Sequence, residues 1–430
     1  MATQAKLSLP TAILINLNIM MGAGVFINTV ELAKRTGLLS AFMYPLIGLL
    51  ISPLIVAVAQ LIKLHPSGGF YIFGKAEINP LVGFISTWSY FIAKLASASL
   101  MIHVSVSLIT QIFPALLTLG SILIFDILIL TIFIALNLLN MKTGSRIQFG
   151  FLAFKLLPIF FIILVGLVFF APTQVATLPL FWEGIPSSLP FVLYAASGFE
   201  ATCALSNNIE DSKKNGPRAI VISFCIMMAL VFLFQFLFYV TLANQLAIQL
   251  NYLGAFPAFL NTIFPGNPLL VHKLQAFFHL AIASSALGGC YGILYSNNWN
   301  LYILAQDNKI WGSSFFIKLN KYSIPYVCIF IEWLFCCMYL LTSGGNQLIL
   351  QPLAAFGTTL TYTISVIALF YAFQKNKPTT FLQYIPYAAL ASCALLLLAC
   401  VKNFLSNGIF PLVCFITLLI AGLFVYRNNK

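Results

Sequence analysis

Charge is what this chain has least of. Of its 430 residues only 9 are acidic, and the four charged types together make up 7% of the sequence. A soluble domain carries roughly 25%, so a water-soluble fold is excluded. Long polar stretches are also missing. The connections between apolar runs reach only about 20–30 residues, too few for a separate folded domain. The patterns His-Glu-x-x-His, Gly-x-Ser-x-Gly and Gly-x-x-x-x-Gly-Lys-Ser/Thr do not occur. Their absence removes zinc hydrolases, serine hydrolases and P-loop ATP-driven pumps. No enzyme chemistry, cofactor or metal site is expected. A repeated ion filter, the mark of a channel, is not found either. The N-terminus lacks the short apolar core and small-residue cleavage site of a secretory signal, so the first apolar run is expected to be retained.

Apolar surface is what the chain has instead. The hydrophobic share is 61% and the mean hydropathy is +1.00. Twelve apolar runs lie at 9–33, 38–63, 81–112, 120–140, 147–170, 187–207, 218–243, 271–305, 323–342, 349–373, 382–402 and 409–427. Each can cross a hydrocarbon core about 30 Å thick. They are continuous and do not alternate, which excludes a β-barrel. The expected fold is an all-α membrane protein with twelve transmembrane helices. The net charge of +12 would suggest nucleic acid in a soluble chain, but here the basic residues sort by membrane side. With the N-terminus inside, only Lys34, Arg35, Lys273 and Lys402 lie outside, and Lys94 and Lys155 lie within runs; the other basic residues are cytoplasmic. That bias places both termini in the cytoplasm of a chain in the cytoplasmic (inner) membrane. Glu31 stands close to Lys34 and Arg35 and offsets part of their charge. The nine cysteines, nearly all inside runs, read as small packing residues, not as disulfides or metal ligands.

Two of the runs are interrupted by glycine: Met20-Met21-Gly22-Ala23-Gly24-Val25-Phe26 and Tyr194-Ala195-Ala196-Ser197-Gly198-Phe199-Glu200. Glycine costs a helix about 1 kcal/mol relative to alanine. Unwound backbone inside a bilayer is tolerated only where protein buries it or a cavity solvates it. Two breaks in corresponding runs of two halves point to the binding site of a secondary transporter. The breaks divide the chain into repeats at about 9–170 and 187–373, with 382–427 outside them, all in one domain spanning 1–430. An odd number of spans per repeat inverts the second copy. The plain alternative for Gly22-Ala23-Gly24 is a close helix–helix contact; the paired break favours binding.

Four pieces of sequence carry a family resemblance. Gly22-Ala23-Gly24-Val25-Phe26 is similar to the family's broken first helix, and Pro66-Ser67-Gly68-Gly69-Phe70-Tyr71 to the loop after its second. Ser197-Gly198-Phe199-Glu200, with Glu210-Asp211-Ser212-Lys213-Lys214-Asn215-Gly216-Pro217-Arg218-Ala219-Ile220, is similar to the broken sixth helix and its tail. Ala305-Gln306-Asp307-Asn308 with Pro325 is similar to the stretch after the eighth. In these residues the chain resembles the amino acid–polyamine–organocation superfamily. It departs from the pattern at Asn308, where the family usually has glycine, and in a compressed sixth-helix tail. The resemblance thins out after the tenth run. It implies a LeuT-like 5+5 inverted repeat with discontinuous helices 1 and 6 plus two extra helices, and an amino acid as substrate.

The break chemistry fits such a zwitterion. The N–H groups of Ala23, Gly24 and Val25 open the second half-helix and suit a carboxylate. Carbonyls near Ile19 and Met20, and near Tyr194–Ala196, suit an ammonium. Gly22 and Gly24 allow close approach. The side-chain pocket is expected to draw on Ile19, Ala23, Ser97, Met101, Tyr194, Ser197, Gly198, Phe199, Tyr291 and Ile293, with Tyr194 in a gating position by resemblance. A neutral side chain is favoured over a cationic one.

Lys155 and Glu200 are the candidate coupling residues. By resemblance, the Lys155 ammonium takes the place of a sodium ion between helices 1 and 8; the alternative is a stem snorkelling to the interface. Ser284 and Ser285 are the sodium ligands if that reading fails. Glu200 is either a proton carrier beside the ligand or a structural carboxyl capping the break. Lys94, His103 and His279 are relay candidates, with helix packing as the plainer reading for the histidines. Asp126 and Glu332, nearer run ends, are expected to be solvated or paired. The partners implied are an amino acid, a proton or exchanged amino acid, and membrane lipid, with no nucleic acid. An amino acid sensor on a transporter fold, or a carrier of another small organic cation or polyamine, is the alternative function.

Overall fold

The computed structural model describes residues 7–66, 69–139, 141–170, 175, 177–200, 209–376, 378 and 381–427, with backbone only over 141–149 and 152–153. Ser67 and Gly68, Cys203 and the remainder of the sixth run to residue 207, and the basic residues Lys6, Lys377 and Lys430 lie outside these residues, as do the side chains of Lys142 and Arg146.

The described chain is helical. Its main helices are α1 (Leu9–Met20), α2 (Gly24–Thr36), α3 (Leu39–Leu64), α4 (Phe70–Glu77), α5 (Pro80–Ile112), α6 (Ile122–Asn137), α7 (Met141–Val168) and α8 (Ile185–Ala196). They continue with α9 (Ser212–Leu242), α10 (Ala255–Ile263), α11 (Pro268–Gln306), α12 (Tyr326–Ser343), α13 (Gln347–Lys375), α14 (Ile385–Asn407) and α15 (Phe410–Val425). Seven helices are long and apolar enough to cross a membrane, and α1 with α2 pass the same test as one pair bent by 47°. α6, the Phe154–Val168 part of α7, and α15 are shorter apolar helices. Eleven of the twelve expected apolar runs coincide with one of these; the sixth, described as far as Glu200, is helical over Ile185–Ala196 and is not among them. The match follows from the bilayer, which leaves an apolar backbone no partner but itself.

Local chemistry sets several starts. The side chains of Asn79, Asn267 and Asn346 accept backbone N–H groups from Val82, Leu270 and Leu348, capping α5, α11 and α13. α5 is the axis of the assembly, lying mainly against α11 and α13. Its neighbours are joined to it by hydroxyls: Ser105 donates to the Ala283 carbonyl (3.1 Å), Ser99 to that of Cys336 (3.3 Å), and Thr361 to that of Ser86 (2.9 Å). Small residues and short polar links replace the hydrophobic drive that lipid cannot supply between helices. The eight described cysteines are free thiols.

Outside the main helices, the uncharged segment after α9 folds onto the bundle. Phe256 of α10 packs its ring against Phe238 (5.3 Å between centroids), Phe278 (5.7 Å) and Phe26 (6.2 Å). Near it, Glu31 takes Arg35 at 3.6 Å and Lys34 at 3.8 Å.

A polar cluster closes the opposite end. Lys75 on α4 holds the Asp307 carboxylate through bonds of 2.7 and 2.8 Å, and the Tyr71 hydroxyl donates to the same group. Glu77 takes His65 at 2.8 Å and Lys375 at 3.1 Å. α4 crosses α5 at bare backbone: a Cβ on Gly74 would lie 2.6 Å from Gly83 Cα. Burial pushes the Asp307 carboxyl up, but the Lys75 ammonium and Tyr71 hydroxyl outweigh it, and the group lies below its ordinary value. A carboxyl depressed in the folded state adds stability above its unfolded value of about 3.9. That stability is lost as pH falls through the folded value. Asp307→Asn is therefore expected to lower the unfolding temperature of the detergent-solubilised protein at neutral pH and to flatten its fall toward pH 3; an unchanged acid limb would assign the cluster no electrostatic role.

Candidate functional site

The bend between α1 and α2 comes from Met21, Gly22 and Ala23, where the helical ladder lapses for three residues. α8 stops the same way. Ser197 is extended (φ −74°, ψ 152°) and Gly198 has φ +120°, a conformation that costs any residue with a Cβ. The two breaks touch. A Cβ on Gly24 would lie 3.0 Å from both the Ala195 Cα and the Tyr194 ring, and one on Gly198 would lie 3.1 Å from the Met20 backbone. Two interruptions more than 170 residues apart in the chain thus cross at their glycines.

A cavity of about 10 Å³ sits at the crossing, with room for no more than a water molecule. Of the sequence candidates, Ile19, Met20, Gly22, Gly24, Ser97, Met101, Tyr194, Ser197 and Ile293 form its walls. Ala23, Val25 and Gly198 belong to the breaks but not to the walls. Phe199 and Tyr291 also lie outside the walls, each held by aromatic neighbours. Phe199 stacks on Tyr362 (5.5 Å) and meets Phe224 edge-on (6.0 Å), while Tyr291 meets Phe133 edge-on (5.8 Å). Met101 explains the small volume. Its Cε would be 2.6 Å from a Cβ on Gly22 and its Sδ 2.9 Å from one on Gly289, so the thioether lies in a slot that two glycines leave open.

The carbonyl end of α1 is served by two donors. The fully buried Lys155 ammonium donates to the Asn18 carbonyl at 2.7 Å, and the Ser285 hydroxyl to that of Met21 at 3.1 Å. Both lie at the negative end of the first half-helix, where the last carbonyls have no helical partner. The Lys155 stem therefore does not snorkel.

Glu200 is equally enclosed. Its Oε1 lies 2.7 Å from the Lys94 ammonium and accepts the Tyr90 hydroxyl at 3.1 Å, while its Oε2 accepts the Gly198 N–H at 2.8 Å. Lys94 is the residue the sequence reading undervalued: it is both a wall of the cavity and the partner of Glu200. The signal was available, because Tyr90, Lys94, Ser97 and Met101 follow the spacing of a single helix face.

The remaining candidates fall elsewhere. Asp126 is buried and paired with His103 at 2.8 Å. Glu332 is fully buried within α12, not near water, in a helix that packs against α5, α6 and α11. His279 is buried in α11. Among the described residues no three His, Cys, Asp or Glu side chains gather as a metal site would require.

The crossing gives a structural test. Gly198→Ala combines a left-handed backbone with a contact on Met20, and should cost about 1–3 kcal/mol. Gly266→Ala, where a Cβ meets open space, should cost little. Thermal unfolding of both variants measures the difference; equal effects would mean that the breaks do not bear on each other.

Comparison with known proteins agrees along the whole length. The family profile described as "Amino acid permease" matches residues 7–429. The "Dicarboxylic amino acid permease" of Saccharomyces cerevisiae is 22% identical, over 89% of this chain and 69% of its own. The "Probable threonine/serine transporter YbxG" of Bacillus subtilis is 24% identical, over 71% of this chain and 66% of its own. The "D-serine/D-alanine/glycine transporter" of Escherichia coli is 24% identical, over 80% of this chain and 73% of its own.

Proposed function

The chain belongs to the amino acid permease family, and from that premise we propose that it is a secondary active transporter carrying an amino acid across the cytoplasmic membrane by alternating access. Membership makes it a multi-pass membrane transporter and not an enzyme. The crossing of the two broken helices carries the rest of the reading. A zwitterion at mid-membrane needs a donor set for its carboxylate and an acceptor set for its ammonium, because either charge left unpaired costs several kcal/mol. The N–H groups at Ala23–Val25 supply the first, and the carbonyls ending α1 and α8 the second, with no charged side chain consumed.

The relatives support this division of labour. The substrates in their names differ in side chain, from dicarboxylic to threonine and serine to glycine, and share the α-amino and α-carboxyl groups. A site built from backbone reads the shared part. An amino acid is several times larger than a water molecule, so the described conformation is a closed one in which Met101 and Tyr194 fill the substrate's place.

In this reading twelve spans cross the membrane with both termini cytoplasmic. Residues 9–170 and 187–373 form the inverted repeats of a single domain, and 382–427 add two helices. The packing supports two moving bodies: α3 lies along α9 and α2 along α8, while α5 lies along α11. Lys155 bridges them, its ammonium fixed on the Asn18 carbonyl where a coupling cation would otherwise bind. Transport is then independent of sodium and linked to protons or to an exchanged amino acid.

Thermal stabilisation of the purified protein by the twenty amino acids and by polyamines, at two pH values and with and without sodium, tests the substrate class. A ligand at a hundred times its Kd adds about 2.7 kcal/mol. One chemical group of amino acids should stabilise the wild type, and Gly24→Leu should abolish the effect, its side chain driven into Ala195 and Tyr194. Lys155→Ala should lose flux in proteoliposomes by about tenfold or more, its orphaned carbonyl costing about 1–3 kcal/mol. Binding without counterflow would make the protein a sensor, and stabilisation by polyamines alone would replace the amino acid.

A further inference from the structure

We propose that Lys94 is the residue that keeps cationic side chains out of this site, its own tethered ammonium standing where a substrate's cation would meet Glu200. The inference rests on the amino acid reading above and narrows it to substrates whose side chains carry no charge.

The observation is an ion pair whose cation forms part of the cavity wall and whose anion lies behind it. Lys94 lines the cavity from α5, one turn before Ser97, and its side chain is 5% exposed. Its ammonium lies 2.7 Å from Glu200 Oε1 and 5.2 Å from the centre of the Tyr90 ring. The Glu200 side chain is 0% exposed, and its remaining contacts are the Tyr90 hydroxyl and the Gly198 N–H. The other buried pair among the described residues, His103 with Asp126, is self-contained. The charged side chain on the cavity wall is thus Lys94, and the carboxylate bound to it stands directly behind the wall.

That balance decides what can enter. A neutral side chain leaves the pair intact. A lysine or arginine side chain brings a second cation to a carboxylate already taken, and like charges set together in a dry site cost several kcal/mol. An aspartate or glutamate side chain meets the same obstacle with the sign reversed, since Glu200 occupies the only cation on the wall. Removal of the Lys94 ammonium leaves a buried carboxylate in need of a cation, and the site then selects what it formerly rejected.

The test compares the full-length wild type with Lys94→Gln in proteoliposomes, using labelled L-serine, L-leucine, L-lysine, L-arginine and L-glutamate. The wild type should take up neutral amino acids only. In Lys94→Gln the ratio of lysine or arginine uptake to serine uptake should rise by about tenfold or more, while Lys94→Arg, which keeps a cation on Glu200, should hold the wild-type ratio. Lys94→Gln leaves a carboxylate unpaired at a cost in stability, so Lys94→Ala is followed separately by thermal unfolding with ethylammonium added. Ethylammonium fills the vacated place and should raise the unfolding temperature, and should not do so in Lys94→Ala/Glu200→Gln. Lysine or arginine uptake by the wild type overturns the proposal, as does an unchanged ratio in Lys94→Gln together with no ethylammonium effect. If no amino acid of any charge is bound or moved by any variant, the transport reading itself fails; if neutral amino acids are moved but the ratio does not respond, only this inference does.

Discussion

A backbone that leaves its helix inside a membrane must find new partners for every N–H and C=O it frees, and the centre of this protein is organised around that requirement. At the end of α1 the freed carbonyls of Asn18 and Met21 are met by Lys155 and Ser285, from two other helices. At the break after α8 the Gly198 N–H is met by the Glu200 carboxylate, which then needs Lys94 and Tyr90. Each repair recruits a side chain that itself must be satisfied. Two unwound turns thus draw Lys155, Ser285, Glu200, Lys94 and Tyr90 to the heart of a chain with 7% charged residues. The N–H groups of Ala23–Val25 open the second half-helix at the positive end of its dipole, which is the part of the crossing the proposed function gives to a carboxylate.

How much of this the sequence discloses depends on distance along the chain. The helices are legible because hydropathy is a local property and the bilayer enforces it; the apolar run at 81–112 and the helix Pro80–Ile112 differ by one residue. The breaks are legible because glycine stands out in an apolar run. Pairings are not. Lys94 and Glu200 come from runs far apart, and the direction of the Glu200 side chain is set by the φ of +120° at Gly198, which no local pattern encodes. Phe199 and Tyr291 lie outside the cavity walls for the same reason: the rings they pack against, Tyr362, Phe224 and Phe133, belong to other helices. What was legible and passed over is the face of α5, where the spacing of Lys94, Ser97 and Met101 already put the lysine beside the pocket.

The two buried lysines illustrate how one residue type serves different ends. Lys155 neutralises no acid; it solvates a helix terminus whose negative charge is spread over carbonyls. Lys94 answers a full carboxylate. The first arrangement tolerates movement, because a four-carbon stem can follow a carbonyl through a change of tilt. The second is stiffer, since Glu200 is held from two further directions.

The contact between the breaks has a mechanical consequence. Gly24 faces the backbone of Ala195 and Gly198 that of Met20, with the Tyr194 ring and the Ile19 side chain closing in beside them. Two such contacts act as meshed teeth: turning the α1–α2 unit about its bend drives the α8 unit with it, and neither can advance alone without collision. The pair has one rotational degree of freedom where separate helices would have two. Under the alternating access proposed above, intermediates with one half turned and the other not would be removed from the path, and the opening of each side of the membrane would be a single stroke of one lever.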